Sequence, residues 1–107
     1  MVHNKQYIME QAKIFKALGH PTRLFMISAL RDGEKCVCDL QALVGDDMST
    51  VSRHLSVLRE AGIISSDKRG TNVYYKLSLC CLETFLACTS EIVEKRILSQ
   101  MNMLNQR

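Results

Sequence analysis

The side chains with the most distinctive chemistry in this chain are its five cysteines, which fall into two groups. Cys36 and Cys38 are separated by one residue, while Cys80, Cys81 and Cys88 lie further along the chain. An odd number of cysteines without a secretory signal does not indicate a disulfide framework. We therefore expect reduced thiols that bind a ligand or sense the redox state.

The spacing of Cys36 and Cys38 allows both sulfurs to converge on one ion if the backbone is extended or frayed there. Thiolates are soft ligands that select thiophilic ions such as Cd(II), Pb(II) or As(III). No histidine pair lies nearby in the sequence, which disfavours a metal that prefers imidazole. Two sulfurs are one short of a strong site, so the third is expected from Cys80, Cys81 or Cys88.

Helical spacing distinguishes these three later cysteines. Cys81, Phe85, Cys88 and Ile92 share one apolar stripe, whereas Cys80 lies on a more polar face. Cys81 and Cys88 are therefore favoured as the third ligand. They lie about 10 Å apart along a helix, while two sulfurs on one ion lie within about 4.6 Å, so one helix cannot supply both. The alternative is that both are small apolar residues packed at a dimer interface.

Positive charge is concentrated in the segment 49–76. Its basic residues are Arg53, Arg59, Lys68, Arg69 and Lys76, and its acidic residues are Glu60 and Asp67. This segment accounts for the whole formal net charge of +3, whereas the segment 32–47 is acidic. A polyanion is the partner that such a basic segment suits.

Periodic apolar residues predict a series of helices before this segment. We expect helices at about 5–18, from Pro21 until Asp32 and Gly33 stop it, and at about 37–44, with Gly19 and Gly45 ending the first and third. The first has Ile8, Ala12, Phe15 and Leu18 at helical spacing. The residues predicted to face inward are Leu24, Ile27 and Leu30 on the second helix and Val37, Leu40 and Leu43 on the third.

A fourth helix follows a tight turn at 45–48 and is capped by Asp47 or Ser49. Val51, Leu55 and Leu58 form its narrow apolar stripe. Two β-like runs at 63–67 and 72–77 flank residues 68–71, which we expect to form the tip of a basic hairpin. This order predicts a winged helix-turn-helix, a mainly α fold with a β-hairpin wing.

The fourth helix carries short hydrogen-bonding groups and one long cation near its start. We expect the phosphates and base edges of double-stranded DNA to be contacted by Ser49, Thr50, Ser52, Arg53 and His54 on the helix and by Lys68 and Arg69 in the wing. The alternative is that Ser49 only caps the helix, Arg53 is solvated and His54 packs locally.

Helical periodicity resumes beyond Ser78 and predicts a last helix of about 25 residues. Such a helix is about 38 Å long, more than the core of a small domain covers. We expect a homodimer through this helix, with help from the first one. The alternative is an amphipathic helix that wraps its own domain.

The length of 107 residues favours a single domain, 1–107, and 47% hydrophobic with 23% charged residues is ordinary for a folded chain. Residues 1–10 contain neither a signal-peptide core nor a membrane span, so we expect a cytoplasmic protein without a membrane partner. The three histidines, His3, His20 and His54, lie where none suits an oriented catalytic base. We expect no enzyme and no organic cofactor.

Four segments of the sequence resemble the ArsR/SmtB family of bacterial metal- and metalloid-responsive repressors. They are LGHPTRLFMISAL, EKCVCDLQALVG, STVSRHLSVLREAGII and KRGTNVYYKL. The resemblance implies a dimeric winged-helix repressor that binds operator DNA and releases it when an inducer binds. It also implies a recognition helix at 49–61 and a wing tip at 68–72.

The motif CVCDL resembles the arsenic- and cadmium-sensing branch of that family. Arsenic sensors of this branch place a third cysteine after Asp-Leu, where this chain has Gln41, and the cadmium and lead sensors add cysteines from an N-terminal extension, where it has only His3. Adjacent cysteines such as Cys80 and Cys81 resemble those of arsenic sensors whose site lies in the C-terminal helix. The carboxylate and imidazole ligands of the family's zinc sensors are absent.

The resemblance makes As(III) or Sb(III) the expected inducer. Cd(II) and Pb(II) are the next candidates, and oxidation or persulfidation of Cys36 or Cys38 is a further alternative trigger.

Overall fold

The computed structural model describes residues 4–79 and 81–105, and within them the chain forms five helices and three short strands. In chain order the elements are α1 (Lys5–Leu18), α2 (Pro21–Leu30), β1 (Lys35–Cys36), α3 (Val37–Val44), α4 (Met48–Glu60), β2 (Ile64–Arg69), β3 (Asn72–Leu77) and α5 (Leu82–Asn105). The predicted fold class and the bounds of the first three helices are confirmed.

The turn between α3 and α4 positions the polar face of α4. Gly45 ends α3 in the left-handed conformation, with φ 84°, which glycine adopts without steric cost. Asp47 begins α4, because its side chain accepts a hydrogen bond of 2.7 Å from the Thr50 backbone N–H. Of the two residues predicted to cap α4, Asp47 is therefore the N-cap. The Ser49 hydroxyl donates a hydrogen bond to the Asp47 carboxylate at 3.0 Å.

The helices and the hairpin share a core. Its large, fully buried side chains are Met26, Ile27, Leu40, Val51, Leu55, Leu58 and Ile63. The predicted inward stripe of α4 is thus confirmed. Full burial of one such side chain contributes roughly 1.5–3 kcal/mol to the free energy of unfolding. Val51, Leu55 and Leu58 therefore hold α4 against the rest of the domain.

Two of the residues predicted to face inward do not. Leu24 on α2 is 37% exposed and Leu43 on α3 is 49% exposed, while Met26 is fully buried instead. A spacing of three residues falls about 60° short of a full helical turn. Over two such steps the predicted stripe drifts about 120° around the helix, which carries Leu24 and Leu43 out of the core.

The three strands form an antiparallel sheet in the order β1-β3-β2. Strands β2 and β3 extend to Arg69 and Asn72, so Gly70 and Thr71 alone make the turn, and Gly70 has a φ of 64°. The expected four-residue tip at 68–71 is therefore wrong, because Lys68 and Arg69 pair with β3. The sequence did not predict β1, whose Cys36 pairs with Tyr74.

Helices α1 and α5 carry a large exposed apolar surface. Edge-to-face packing of Phe15 on α1 and Phe85 on α5, with ring centroids 6.3 Å apart, joins the two helices. The exposed large apolar residues of α5 are Phe85, Ile92, Val93, Ile97, Leu98, Met101, Met103 and Leu104. Only Leu82 of α5 is buried, so this helix does not wrap its own domain.

No helix in the described ranges, 4–79 and 81–105, is long and apolar enough to cross a membrane.

Candidate nucleic-acid interface and thiol ligands

The first two turns of α4 present most of the predicted DNA contacts to solvent. Ser49, Ser52 and Arg53 are exposed, and Thr50 is half-buried. Hydrogen bonds from Thr50 and Ser49 lower the pKa of the Asp47 carboxyl that caps the helix. The cap thus stays ionised and keeps the start of α4 fixed under the exposed side chains.

His54 behaves differently, since its ring packs against α2. The His20 and His54 ring centroids are 4.6 Å apart, and the Arg23 guanidinium lies 3.3 Å from Nδ1 of His54. Because a guanidinium only donates, this nitrogen accepts. Burial foremost, and then the electrostatic influence of the neighbouring His20 and Arg23, lower the pKa of His54. The local packing that was the alternative for His54 is therefore present, and its contact with DNA stays a prediction.

Arg23 also ties this cluster to α1, because it donates to the carbonyl oxygens of Ala17 at 2.6 Å and Lys16 at 3.3 Å. His20 caps α2 through its Nδ1, which accepts from the Thr22 backbone N–H at 3.2 Å. Arg23 and His20 thus connect the end of α1 and the start of α2 to His54 on α4.

Arg69 in the wing is held by two carboxylates. Its Nη1 and Nη2 donate to Glu34 at 2.5 and 2.9 Å, and its Nε donates to Asp67 at 3.0 Å. The guanidinium carbon lies 4.7 Å from the centre of the Tyr74 ring. These bonds lower the pKa of Glu34 and raise that of Arg69. The neighbouring Lys68 is exposed and forms no ion pair with any described residue.

Cys36 lies where β1 meets α3. Its backbone is extended, with φ −77° and ψ 162°, and its Sγ caps α3 by accepting from the Asp39 backbone N–H at 3.4 Å. Cys38 lies in the first turn of α3 and is exposed, while Cys36 is half-buried. The extended backbone that a convergent pair of sulfurs requires is therefore present at Cys36.

The structure separates the later cysteines. Helix α5 begins at Leu82, so the predicted stripe that placed Cys81 on the helix with Phe85 and Cys88 is wrong. Cys81 adopts the left-handed conformation, φ 68°, which cannot continue a helical turn. Its carbonyl accepts from the Phe85 backbone N–H at 3.2 Å. Cys88 is in α5 and is exposed in the protomer, so its packing at a dimer interface stays a prediction. Cys80 lies outside the described residues.

No three histidine, cysteine, aspartate or glutamate side chains lie close enough to hold a metal ion within residues 4–79 and 81–105. The third ligand expected beside Cys36 and Cys38 is therefore not assembled in this part of one protomer.

Sequence reasoning assigned no role to Glu34, Arg23 or His20. The acidic segment 32–47 next to the basic segment was a signal for Glu34, but partners 35 residues apart are joined only by the fold. Nothing in the sequence marks Arg23 as a partner of His54.

A family model described as "Bacterial regulatory protein, arsR family" matches residues 20–66, which span α2 to β2. The crystal structure of NolR from Sinorhizobium fredii superposes with a TM-score of 0.74 at 30% sequence identity, covering 81% of this chain and 87% of that one. The chain belongs to the arsR family of bacterial regulatory proteins. The arsR family consists of DNA-binding transcriptional regulators and not of enzymes.

The names of two relatives refer to cadmium and to arsenicals. The cadmium resistance transcriptional regulatory protein CadC homolog of Staphylococcus aureus is 42% identical over 74 residues, 68% of this chain and 61% of the relative. The arsenical resistance operon repressor of Escherichia coli K12 is 42% identical over 67 residues, 62% of this chain and 57% of the relative. The matched part of the chain spans less than two thirds of either relative.

Proposed function

We propose that this protein is a transcriptional repressor that releases operator DNA when As(III) or Sb(III) binds its cysteine thiolates. The observation that carries the proposal is the position of Cys36, which ends β1 and caps α3. Helix α3 packs directly against α4. An ion held at Cys36 and Cys38 thus acts one helix away from the surface that reads DNA.

Operator recognition rests on the exposed side chains of α4 and the wing. Ser49, Thr50, Ser52 and Arg53 occupy the first two turns of α4, the part of a recognition helix that reaches base edges in a major groove. Lys68 adds an uncompensated positive charge from the wing and suits a backbone phosphate. A homodimer would present two such surfaces to half-sites about one duplex turn apart.

The choice of inducer rests on the sulfur donors. Soft thiolates prefer thiophilic ions, and one relative is named for arsenicals. Another is named for cadmium, so Cd(II), with Pb(II) beside it, is the second candidate inducer. A third sulfur completes the site from Cys81 or Cys88, supplied by a rearrangement of the segment that follows β3 or by a second copy of the chain.

The test is operator binding during titration with As(III), Sb(III), Cd(II), Zn(II) and peroxide. The probe is a fluorescent duplex selected from random sequences by the wild-type protein. We expect As(III) to weaken wild-type binding by about 5- to 150-fold, a coupling free energy of about 1–3 kcal/mol. The double variant Cys36→Ser, Cys38→Ser should stay bound, because it lacks the two primary ligands.

X-ray absorption of the As(III) complex counts the sulfurs in the same preparations. Three sulfurs around the arsenic are expected in the wild type. Of the single variants Cys81→Ser and Cys88→Ser, the one that lacks the third ligand should show fewer. Normal release of DNA by the double variant would refute the assignment of Cys36 and Cys38. Release by peroxide alone would replace the metalloid by a redox trigger.

A further inference from the structure

The wing cation Arg69 is held by a residue that lies outside the wing. Glu34, in the loop before β1, uses both carboxylate oxygens to accept from the two terminal nitrogens of Arg69. Asp67 accepts from the remaining nitrogen, and the ring of Tyr74 lies against the guanidinium. Three of the five N–H groups of the guanidinium are therefore engaged within the protein.

This arrangement removes the positive charge that DNA would use. Two carboxylates accept from one guanidinium, so the charge of Arg69 is neutralised within the protein even though Arg69 belongs to the basic segment. A phosphate approaching Arg69 meets the carboxylates of Glu34 and Asp67 and is repelled. Since the side chains of Arg69 and Glu34 are 49% and 40% exposed, their ion pair is weak enough to exchange for a phosphate.

The residues that hold Arg69 are connected to the segment that carries Cys36. Glu34 lies two residues before Cys36 in the sequence, and Lys35 and Cys36 form β1. In the sheet Cys36 pairs with Tyr74, whose ring contacts the guanidinium. The carboxylate beside Arg69 thus belongs to the residue that precedes this strand, and the ring belongs to a residue that pairs with it.

We propose that Glu34 is a positioning residue that holds Arg69 away from DNA phosphates, and that inducer bound at Cys36 and Cys38 favours this held arrangement. DNA binding requires Arg69 to exchange Glu34 for a phosphate. An ion that fixes β1 opposes the exchange, since it binds the held state more tightly. The second part of this inference rests on the proposed function, whereas the first part concerns inducer-free protein.

The experiment compares E34Q with D32N, which removes an equal charge from the same loop at a residue without an ion pair among the described residues. Binding to a mixed-sequence duplex of about three turns is measured against salt concentration without inducer. We expect E34Q to bind more tightly and to steepen the salt slope by about 0.9 for each additional phosphate that the protein neutralises. D32N should leave the slope unchanged.

The R69Q background separates the ion pair from general charge repulsion. If Glu34 acts through Arg69, the tighter binding caused by E34Q disappears in the double variant E34Q, R69Q. An equal increase in affinity in that background, or weaker binding by E34Q alone, would overturn the inference. The increase is measured without inducer, so it decides the role of Glu34 even if As(III) fails to release wild-type protein and the proposed function is wrong.

The proposed coupling between Glu34 and the thiols of Cys36 and Cys38 is tested by measuring operator binding with As(III) present. As(III) should weaken binding by E34Q less than it weakens wild-type binding, because the held arrangement is lost. If As(III) releases the wild type and E34Q by the same factor, Glu34 does not transmit the inducer.

Discussion

The ring of His54 is part of the packing between α2 and α4. It stacks beside His20, accepts a hydrogen bond from Arg23, and has a pKa lowered foremost by burial and then by these two groups. Asp46 opposes the shift and Arg53 adds to it. The folded protein therefore favours the uncharged ring, whereas the unfolded chain takes up a proton at the ordinary pKa of about 6.5.

This difference predicts that acid destabilises the fold through His54. The stabilisation is fully present above the unfolded pKa of about 6.5 and is lost as the pH falls through the lower folded pKa. Urea midpoints of the wild type should therefore drop on acidification below that range. His54→Gln, which cannot titrate, should lose less over the same interval, and His20→Gln serves as the comparison. Parallel profiles for wild type and His54→Gln would show that another group is responsible.

At the scale of elements, the sequence predicts what depends on local signals. The periodicity of Val51, Leu55 and Leu58, the cap at Asp47 and the glycine at 45 define α3 and α4 correctly. Strand β1 is missed because two residues show no alternation. The start of α5 is misplaced because Cys81 has a backbone conformation that sequence does not reveal. The Glu34–Arg69 pair depends on the sheet joining distant segments, so only the fold shows it.

Helix α4 is the element whose exposed face should dominate binding to DNA. Arg53 is exposed in its second turn, so Arg53→Ala should weaken operator binding and flatten the salt slope by about 0.9 for each phosphate that is no longer neutralised. Its fold should persist, because Arg53 lies outside the core. Lys95→Ala on α5 removes the same charge far from α4 and should bind normally. Unchanged affinity and slope in Arg53→Ala would contradict the assignment of α4 as the recognition helix.

The whole molecule is more extended than one compact domain of its length. Its radius of gyration is 16.7 Å, whereas a compact domain of this size has about 13 Å. The excess comes from α5, whose 24 residues extend about 36 Å and bury little of their apolar face. A second copy of the chain packed on α1 and α5 would cover this face, and the resulting homodimer would contain two recognition helices.

A charge placed in this face should therefore separate the copies. Ile97 is 51% exposed in the protomer, and two-fold symmetry would bury it twice. Burial of the exposed half of two such side chains contributes about 1.5–3 kcal/mol, so Ile97→Glu should raise the dimer dissociation constant at least about 10-fold. Asn102→Glu adds the same charge five residues on, about 140° around the helix, and should remain dimeric. Sedimentation equilibrium distinguishes these outcomes, and an Ile97→Glu variant that associates like the wild type would move the dimer contact away from α5.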